Sequence, residues 1–225
     1  MARACTGPVA NSKLITWYGF AVPNNKLDSV DLFLGLDPSD GTPSGAALWR
    51  RKRKLLNVAG CQRYVPEVYS PGETALPTAS GLTDANTNPG SEVLVRHQLK
   101  LDDPVPGALL TMMRVLGCSD SSETLEHLEG KSKGKGKGKG KGKKGGKLPG
   151  ELEIGMLEEL KGALAGMQSG YKTVVEEDEA VLADDATTYR MRLATTLRLA
   201  EKRILAAGIA SIDAKIAAEQ ERLSQ

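Results

Sequence analysis

The sequence predicts a mainly α protein, a helical bundle preceded by a short β segment. Two observations carry this. Aromatic residues make up only 4% of the 225-residue chain, and Trp17, Tyr18, Phe20, Phe33 and Trp49 all fall near its front. The C-terminal half must therefore build its core from Leu, Ile, Val, Met and Ala, a mixture that favours helix on helix over sheet on sheet. After Pro149, apolar residues recur at helical spacing between short capping stretches, as they do in a bundle.

The elements follow in order. "SKLITWYGFAVPNN", residues 12–25, places Leu14, Ile15, Trp17, Tyr18 and Phe20 almost side by side. Residues 14–22 read as a short buried strand closed by Pro23, Asn24 and Asn25, and a strand this apolar needs a partner to cover it. "VDLFLGL", from Val30 to Leu36, reads as a second strand. Thr42 and Pro43 have the order of a helix cap followed by proline at the first helical position. The helix then runs through "SGAALWRRKRKLLNVAG" to Gly60, with Leu48, Leu55, Leu56 and Ala59 on one face and Trp49 at its margin.

Residues 66–92 are rich in Pro, Gly, Ser, Thr and Asn and read as an extended, flexible loop. "EVLVRHQL" has strand character. Pro104 and Pro106 introduce the helix "GALLTMMRVLG", which Gly117 ends. Ser119 or Ser121 caps "SETLEHLE", whose acids sit in the first turn, where the helix dipole favours them. Residues 131–147 alternate lysine with glycine. Glycine disfavours helix, the lysines repel one another and nothing apolar is available to bury, so this tract reads as a disordered linker.

Beyond Pro149, Leu152, Met156, Leu160 and Leu164 share a stripe. Thr173 and Glu176 have capping-box spacing. The last helix begins near Asp185, with Leu193, Leu197, Ala200, Ile204 and Ala207 as its inner seam. Glu201 with Arg198, or Lys202 to Arg203, is placed on or beside its wetter side.

Charge is unevenly distributed. The tract at 131–147 holds nine of the thirty Lys and Arg residues; the rest of the chain sets 21 basic against 28 acidic residues and is net acidic. Cys5, Cys61 and Cys118 lie far apart, and His97 and His127 are isolated, so no zinc constellation is expected. Reduced, structural thiols fit this spacing. No run of 18 apolar residues occurs, so no membrane span is expected, and the first residues resemble neither a secretory signal nor a transit peptide. "RRKRK", Arg50 to Lys54, points all round a helix and reads as a solvated surface with snorkelling stems. Glu176, Glu177, Asp178 and Glu179 diverge by about 100° per residue on a helix and read as a charged helix start, not paired catalytic acids.

The order of these pieces resembles the Rubisco large-subunit methyltransferase family. "NSKLITWYGFAVPNN" is similar to the segment N-x-x-L-x-x-x-Y-G-F-x-x-x-N that closes its SET domain, matched here by Asn11, Leu14, Tyr18, Gly19, Phe20 and Asn24. "NVAGC", "PGALLTMMRVLG", "YKTVVEEDEAVL" and "RLAEKRIL" then resemble, in order, the markers of the family's helical substrate-binding domain. Each motif alone is weak; their order makes the match specific. The resemblance covers most of the chain, leaving out 66–92 and the lysine tract.

It implies residues 1–25 as the C-terminal remnant of a SET domain and 26–225 as a helical, Rubisco LSMT substrate-binding-like domain. It implies that the complete enzyme transfers a methyl group from S-adenosylmethionine to a protein lysine. Tyr18 is implied as a wall of the lysine channel, in a substrate-binding role, and Phe20 as a neighbour of the cofactor. The family's Asn-His cofactor segment has no counterpart here, and counting back from Tyr18 to the family's catalytic tyrosine reaches Cys5 and Thr6. No catalytic residue, no metal site and no cofactor are therefore expected for this chain alone, which is expected to be inactive as a fragment of a longer enzyme. The implied partner is a protein substrate, either the Rubisco large subunit or another plastid protein, with a chloroplast location by resemblance or otherwise a cytoplasmic one. A sister branch of the family modifies histidine. The alternative is a stand-alone interaction module whose polycationic linker binds polyanions, nucleic acid included, non-specifically and salt-sensitively.

Overall fold

The computed structural model describes residues 9–36, 43–61, 93–117, 125, 128 and 148–225. The expectations for Cys5, Thr42, the loop at 66–92, Cys118, the Ser119/Ser121 cap, His127 and the tract at 131–147 lie outside the described residues. The protein is mainly helical. Its elements are α1 (Asn11–Tyr18), β1 (Ser29–Leu36), α2 (Pro43–Val58), β2 (Val93–Lys100), α3 (Gly107–Gly117), α4 (Gly150–Ser169), α5 (Val175–Ala183) and α6 (Tyr189–Leu223). β1 and β2 pair as a two-stranded antiparallel sheet.

The strand expected over residues 14–22 is not there. Asn11 to Tyr18 form a helix that ends where Gly19 turns left-handed at φ 72° and its N–H donates to Ile15 O at 3.0 Å. The β preference of Ile15, Thr16, Trp17 and Tyr18 is local and weak. A glycine able to take the left-handed cap, and a partner for the first helical N–H, override it. The segment is not buried either: Trp17 is 53% exposed, Tyr18 48% and Phe20 43%.

The chain divides into two compact units. The first comprises Met1–Asp31, Gln98–Val105 and Glu158–Lys215. Its apolar core includes Val30, Leu99, Leu160, Leu164, Leu199, Ile204 and Ile212. Gly208 of α6 lets Leu164 approach closely here: a Cβ would stand 2.9 Å from Leu164 Cδ1, and that side chain would have to shift.

The second unit comprises Leu32–His97, Pro106–Leu157 and Ile216–Gln225. α2 packs on α3, with Leu56, Leu109, Met112 and Val115 fully enclosed. Trp49, placed at the margin from sequence, belongs to this core: it lies seven residues before Leu56, almost two full turns, and so on the same side of α2. Gly60 at φ 80° closes α2 as expected, and the buried Cys61 thiol donates to Ala108 O at 3.4 Å. Burial pushes that thiol up to about 11, so it is an inert core group.

The stripe read on α4 is shifted. Met156, Leu160 and Leu164 are buried, but Leu152 is exposed and Glu153 lies inside. Arg114 Nη2 donates to Glu153 Oε1 at 2.6 Å, and Leu148 N–H donates to Glu153 Oε2 at 3.2 Å. An acid can occupy this core position because its oxygens are satisfied there.

Candidate functional site

The site is built on the turn from α1 to β1, in the first unit. Asn11 opens α1 and is completely buried. Its backbone N–H donates to Asp28 Oδ1 at 2.7 Å, and its Nδ2 donates to Asp28 Oδ2 at 2.8 Å. The same Nδ2 donates to Val22 O at 2.8 Å, and Val22 N–H donates to Asn11 Oδ1 at 2.7 Å. The Asn11 amide thus pairs with Val22 as a strand backbone would, and Asp28 supplies the acceptor that the first N–H of the helix lacks. Burial pushes the Asp28 carboxyl up; the two donors from Asn11 pull against that.

Between these two pins lie Trp17, Tyr18 and Phe20. The Tyr18 and Phe20 rings are tilted against each other at 6.1 Å between centroids, and Lys13 Nζ stands 5.4 Å from the Trp17 ring. The structure therefore brings together the two residues singled out from sequence, on the surface. Two outer ties hold the following turn. Tyr189 Oη donates to Gly19 O at 2.8 Å, and Arg203 Nη1 donates to Oδ1 of the left-handed Asn24 at 3.2 Å.

Next to this turn a cavity of about 850 Å³ opens between Ala21–Asp28, Leu101–Asp102, α5 and α6. Leu182, Leu193, Leu199 and Ile204 give it an apolar lining, and Glu179, Arg192 and Arg203 bring charge to it. Tyr18 and Phe20 are not among its lining residues.

Sequence reasoning missed the buried charge network joining α5 to α6. Asp178 is fully enclosed. It accepts from Arg198, from Lys202 Nζ at 2.7 Å and from Thr173 Oγ1 at 2.9 Å. Burial alone would push its carboxyl up, but hydrogen bonds from Arg198, Lys202 and Thr173 outweigh that and hold it at about 2. Lys202, placed from sequence beside the wetter face, is 2% exposed. Its ammonium also donates to Thr173 O and Oγ1 and lies 5.6 Å from the Tyr171 ring. Tyr171 Oη donates to Glu201 Oε2 at 2.8 Å; burial, then Glu201, push the phenol up. Burial also pushes the Glu201 carboxyl up, with the Asp28 carboxylate adding to the effect.

Only half of the expected capping box forms, one residue further along. Glu177 Oε2, not Glu176, accepts from the N–H of Val174 at 3.0 Å, because the Thr173 hydroxyl is engaged by Asp178 and Lys202. The four acids diverge as the helix geometry requires. Glu176 is exposed, Glu177 caps α5, Asp178 goes inward and Glu179 pairs with Arg203 at 2.7 Å. The signal that could have found the network was present: Arg198 and Lys202 are four apart, on one side of α6. Tyr171, Thr173, Asp178, Glu201 and Lys202 all belong to the motifs quoted above, and they form an internal lock, each satisfied by the others.

Among the described residues, no group of three His, Cys, Asp or Glu side chains could hold a metal ion. No helix among them is long and apolar enough to cross a membrane.

The comparisons agree with this architecture. The family model for Rubisco LSMT substrate-binding matches residues 44–205, and the chain belongs to that family, which accompanies SET-type protein methyltransferases. It is 27% identical over 205 residues to the actin-histidine N-methyltransferases of Papio anubis and Homo sapiens, covering 91% of this chain and 28% of each relative. Its fold is similar to that of Rubisco LSMT bound to sinefungin and monomethyllysine, with a TM-score of 0.58 and 17% identity over 94% of this chain and 40% of that one. The AdoMet-bound structure gives 0.57 and 18% over the same shares. The chain thus spans less than a third of the curated relatives it matches.

Proposed function

We propose that these residues are the substrate-recognition part of a SET-type protein N-methyltransferase that moves a methyl group from S-adenosylmethionine to a protein lysine. The observation that carries this reading is the family match over residues 44–205, placed directly behind a Tyr-Gly-Phe segment that displays Tyr18 and Phe20. In this reading residues 1–25 close the SET domain and residues 26–225 dock the substrate as a helical bundle. Tyr18 walls the acceptor channel, where a phenol can orient the amine and help exclude water. Outside the lysine tract the chain is net acidic, which suits a basic substrate segment.

On this reading the described residues do not by themselves hold S-adenosylmethionine. Phe20, the one residue assigned to it by resemblance, is 43% exposed, and the neighbouring cavity is lined without it. The reading accordingly has residues 1–225 bind protein and leave methyl transfer to the rest of the enzyme. The Rubisco large subunit, or another plastid protein, is the substrate on this reading. A second reading is favoured by the curated relatives, which are actin-histidine N-methyltransferases: the acceptor is then a histidine of actin.

Incubating the protein isolated from its source with S-adenosylmethionine and each protein, then mapping the modified side chain by mass spectrometry, decides between them. Methyl-lysine supports the first reading and methyl-histidine the second. Absence of any methyl transfer contradicts both.

A further inference from the structure

Ser12 to Ala21 form a loop whose two ends are fastened by one side chain. The Asn11 amide makes both hydrogen bonds of a peptide pair with Val22, at 2.8 and 2.7 Å, and its Nδ2 and backbone N–H also bind Asp28, at 2.8 and 2.7 Å. Asn11 and Asp28 are both buried, whereas Trp17, Tyr18 and Phe20 are about half exposed. Because these rings are half exposed, the buried fastening at the two ends of the segment contributes to where they stand. α1 has only eight residues, too few to hold itself in water.

We propose that Asn11, acting with Asp28, is the positioning residue for Tyr18 and Phe20. It closes the loop that carries them and so fixes the channel wall before substrate arrives. The proposal rests on the role given to Tyr18 and Phe20 under the proposed function. Pre-organisation of this kind contributes at the transition state, because a wall free to swing must be ordered in every turnover.

The donor and acceptor pattern supplies a specific test. In Asn11→Asp a second carboxylate faces Asp28 in a buried site. In Asp28→Asn two amide donors face each other. The double exchange Asn11→Asp with Asp28→Asn restores three of the four bonds: the backbone N–H at 11 to the new amide oxygen, the new amide N–H to the new carboxylate, and Val22 N–H to that carboxylate. The donor to Val22 O is lost, and a carboxylate oxygen stands in its place beside that carbonyl, so the repair of Asn11→Asp is partial.

Hydrogen exchange on the 225-residue chain is expected to show residues 12–22 exchanging about tenfold faster or more in each single variant. The double exchange is expected to bring them part of the way back from Asn11→Asp, since one carboxylate then faces an amide in place of a second carboxylate, with Leu160 and Leu205 unchanged throughout. Unchanged exchange at 12–22 in the single variants overturns the proposal. So does equal acceleration of all amides, or a double exchange no better than Asn11→Asp, including one that does not fold. Tyr189→Phe, which removes only the outer tie to Gly19 O, is expected to change exchange at 12–22 by about twofold at most, since that bond is exposed to water. A larger effect from it than from Asn11→Asp also overturns the proposal.

In methyl transfer by the full enzyme, the single variants are expected to lower kcat about tenfold at unchanged KM for the protein substrate, and the double exchange to recover part of the kcat lost in Asn11→Asp. A raised KM at constant kcat contradicts a positioning role. A wild-type protein without methyl transfer would remove the methyltransferase reading, while the exchange pattern would still decide whether the loop is fastened as described.

Discussion

The two compact units differ in how completely their buried polar groups are bonded. In the first, Asp178, Lys202, Asn11 and Asp28 lie inside, and each is bonded to named partners, Thr173 at the margin among them. In the second, Arg114 and Glu153 form a comparable pair. Beside them, Trp49 Nε1 and His97 Nε2 are buried with no hydrogen-bond partner among the described residues. The lesson concerns specificity. The first unit carries the loop and the cavity, and its elements are joined by directional bonds that allow one arrangement. The second relies more on apolar burial of Leu56, Leu109 and Met112, which is strong but less directional.

The contrast breaks most visibly at Asp178. Asp178→Ala leaves Lys202 buried without its carboxylate and should cost about 3–5 kcal/mol in urea denaturation. Replacing Asp178, Lys202 and Arg198 together by apolar residues should recover much of that loss, because desolvation then vanishes with the charges. Failure of the triple variant to recover would mean that directionality here also carries stability. In the second unit, Leu109→Ala should cost about 2–5 kcal/mol through a cavity, with no polar partner whose removal could offset it.

Acid separates the two units next. Burial lowers His97 to about 4, below its ordinary value of 6.5, so the folded state resists its protonation. Its contribution is complete above pH 6.5 and is lost as pH falls from 6.5 toward 4, on the order of 3 kcal/mol in all. His97→Leu should abolish that limb and change little at pH 7, since no bond among the described residues is lost. Asp178 has the other window: its contribution is present above 3.8 and is lost as pH falls from 3.8 to about 2. Urea midpoints measured from pH 7 to pH 2 should show both steps. A single step unaffected by His97→Leu would contradict the assignment.

The smallest effect belongs to the exposed pair Lys161–Asp213, at 2.6 Å with side chains 42% and 51% exposed. Lys161→Ala should change stability by less than about 0.5 kcal/mol, and not at all in high salt.

What could be read from the sequence divides along the same line. α2, α3 and the two strands were legible because proline, glycine and apolar spacing act locally, and Pro43, Gly60, Pro106 and Gly117 stand where those elements begin or end. α1 was misread because Ile15 to Tyr18 prefer strands locally while their helix is fixed by Asp28, far along the chain. Asp178 reads from sequence as part of a charged helix start and Lys202 as on or beside the wetter side, because burial of a charge depends on partners that spacing alone does not reveal. Tyr18 and Phe20 were named from resemblance, but the clasp that presents them depends on Val22 and Asp28, which the motif does not include.

The most direct measurement is calorimetric titration of the 225-residue chain with its candidate protein substrates, the Rubisco large subunit and actin, with and without S-adenosylmethionine. Saturable binding of one of them, unchanged by S-adenosylmethionine, is the predicted result. Tight binding of S-adenosylmethionine with no binding of either protein would contradict a recognition role.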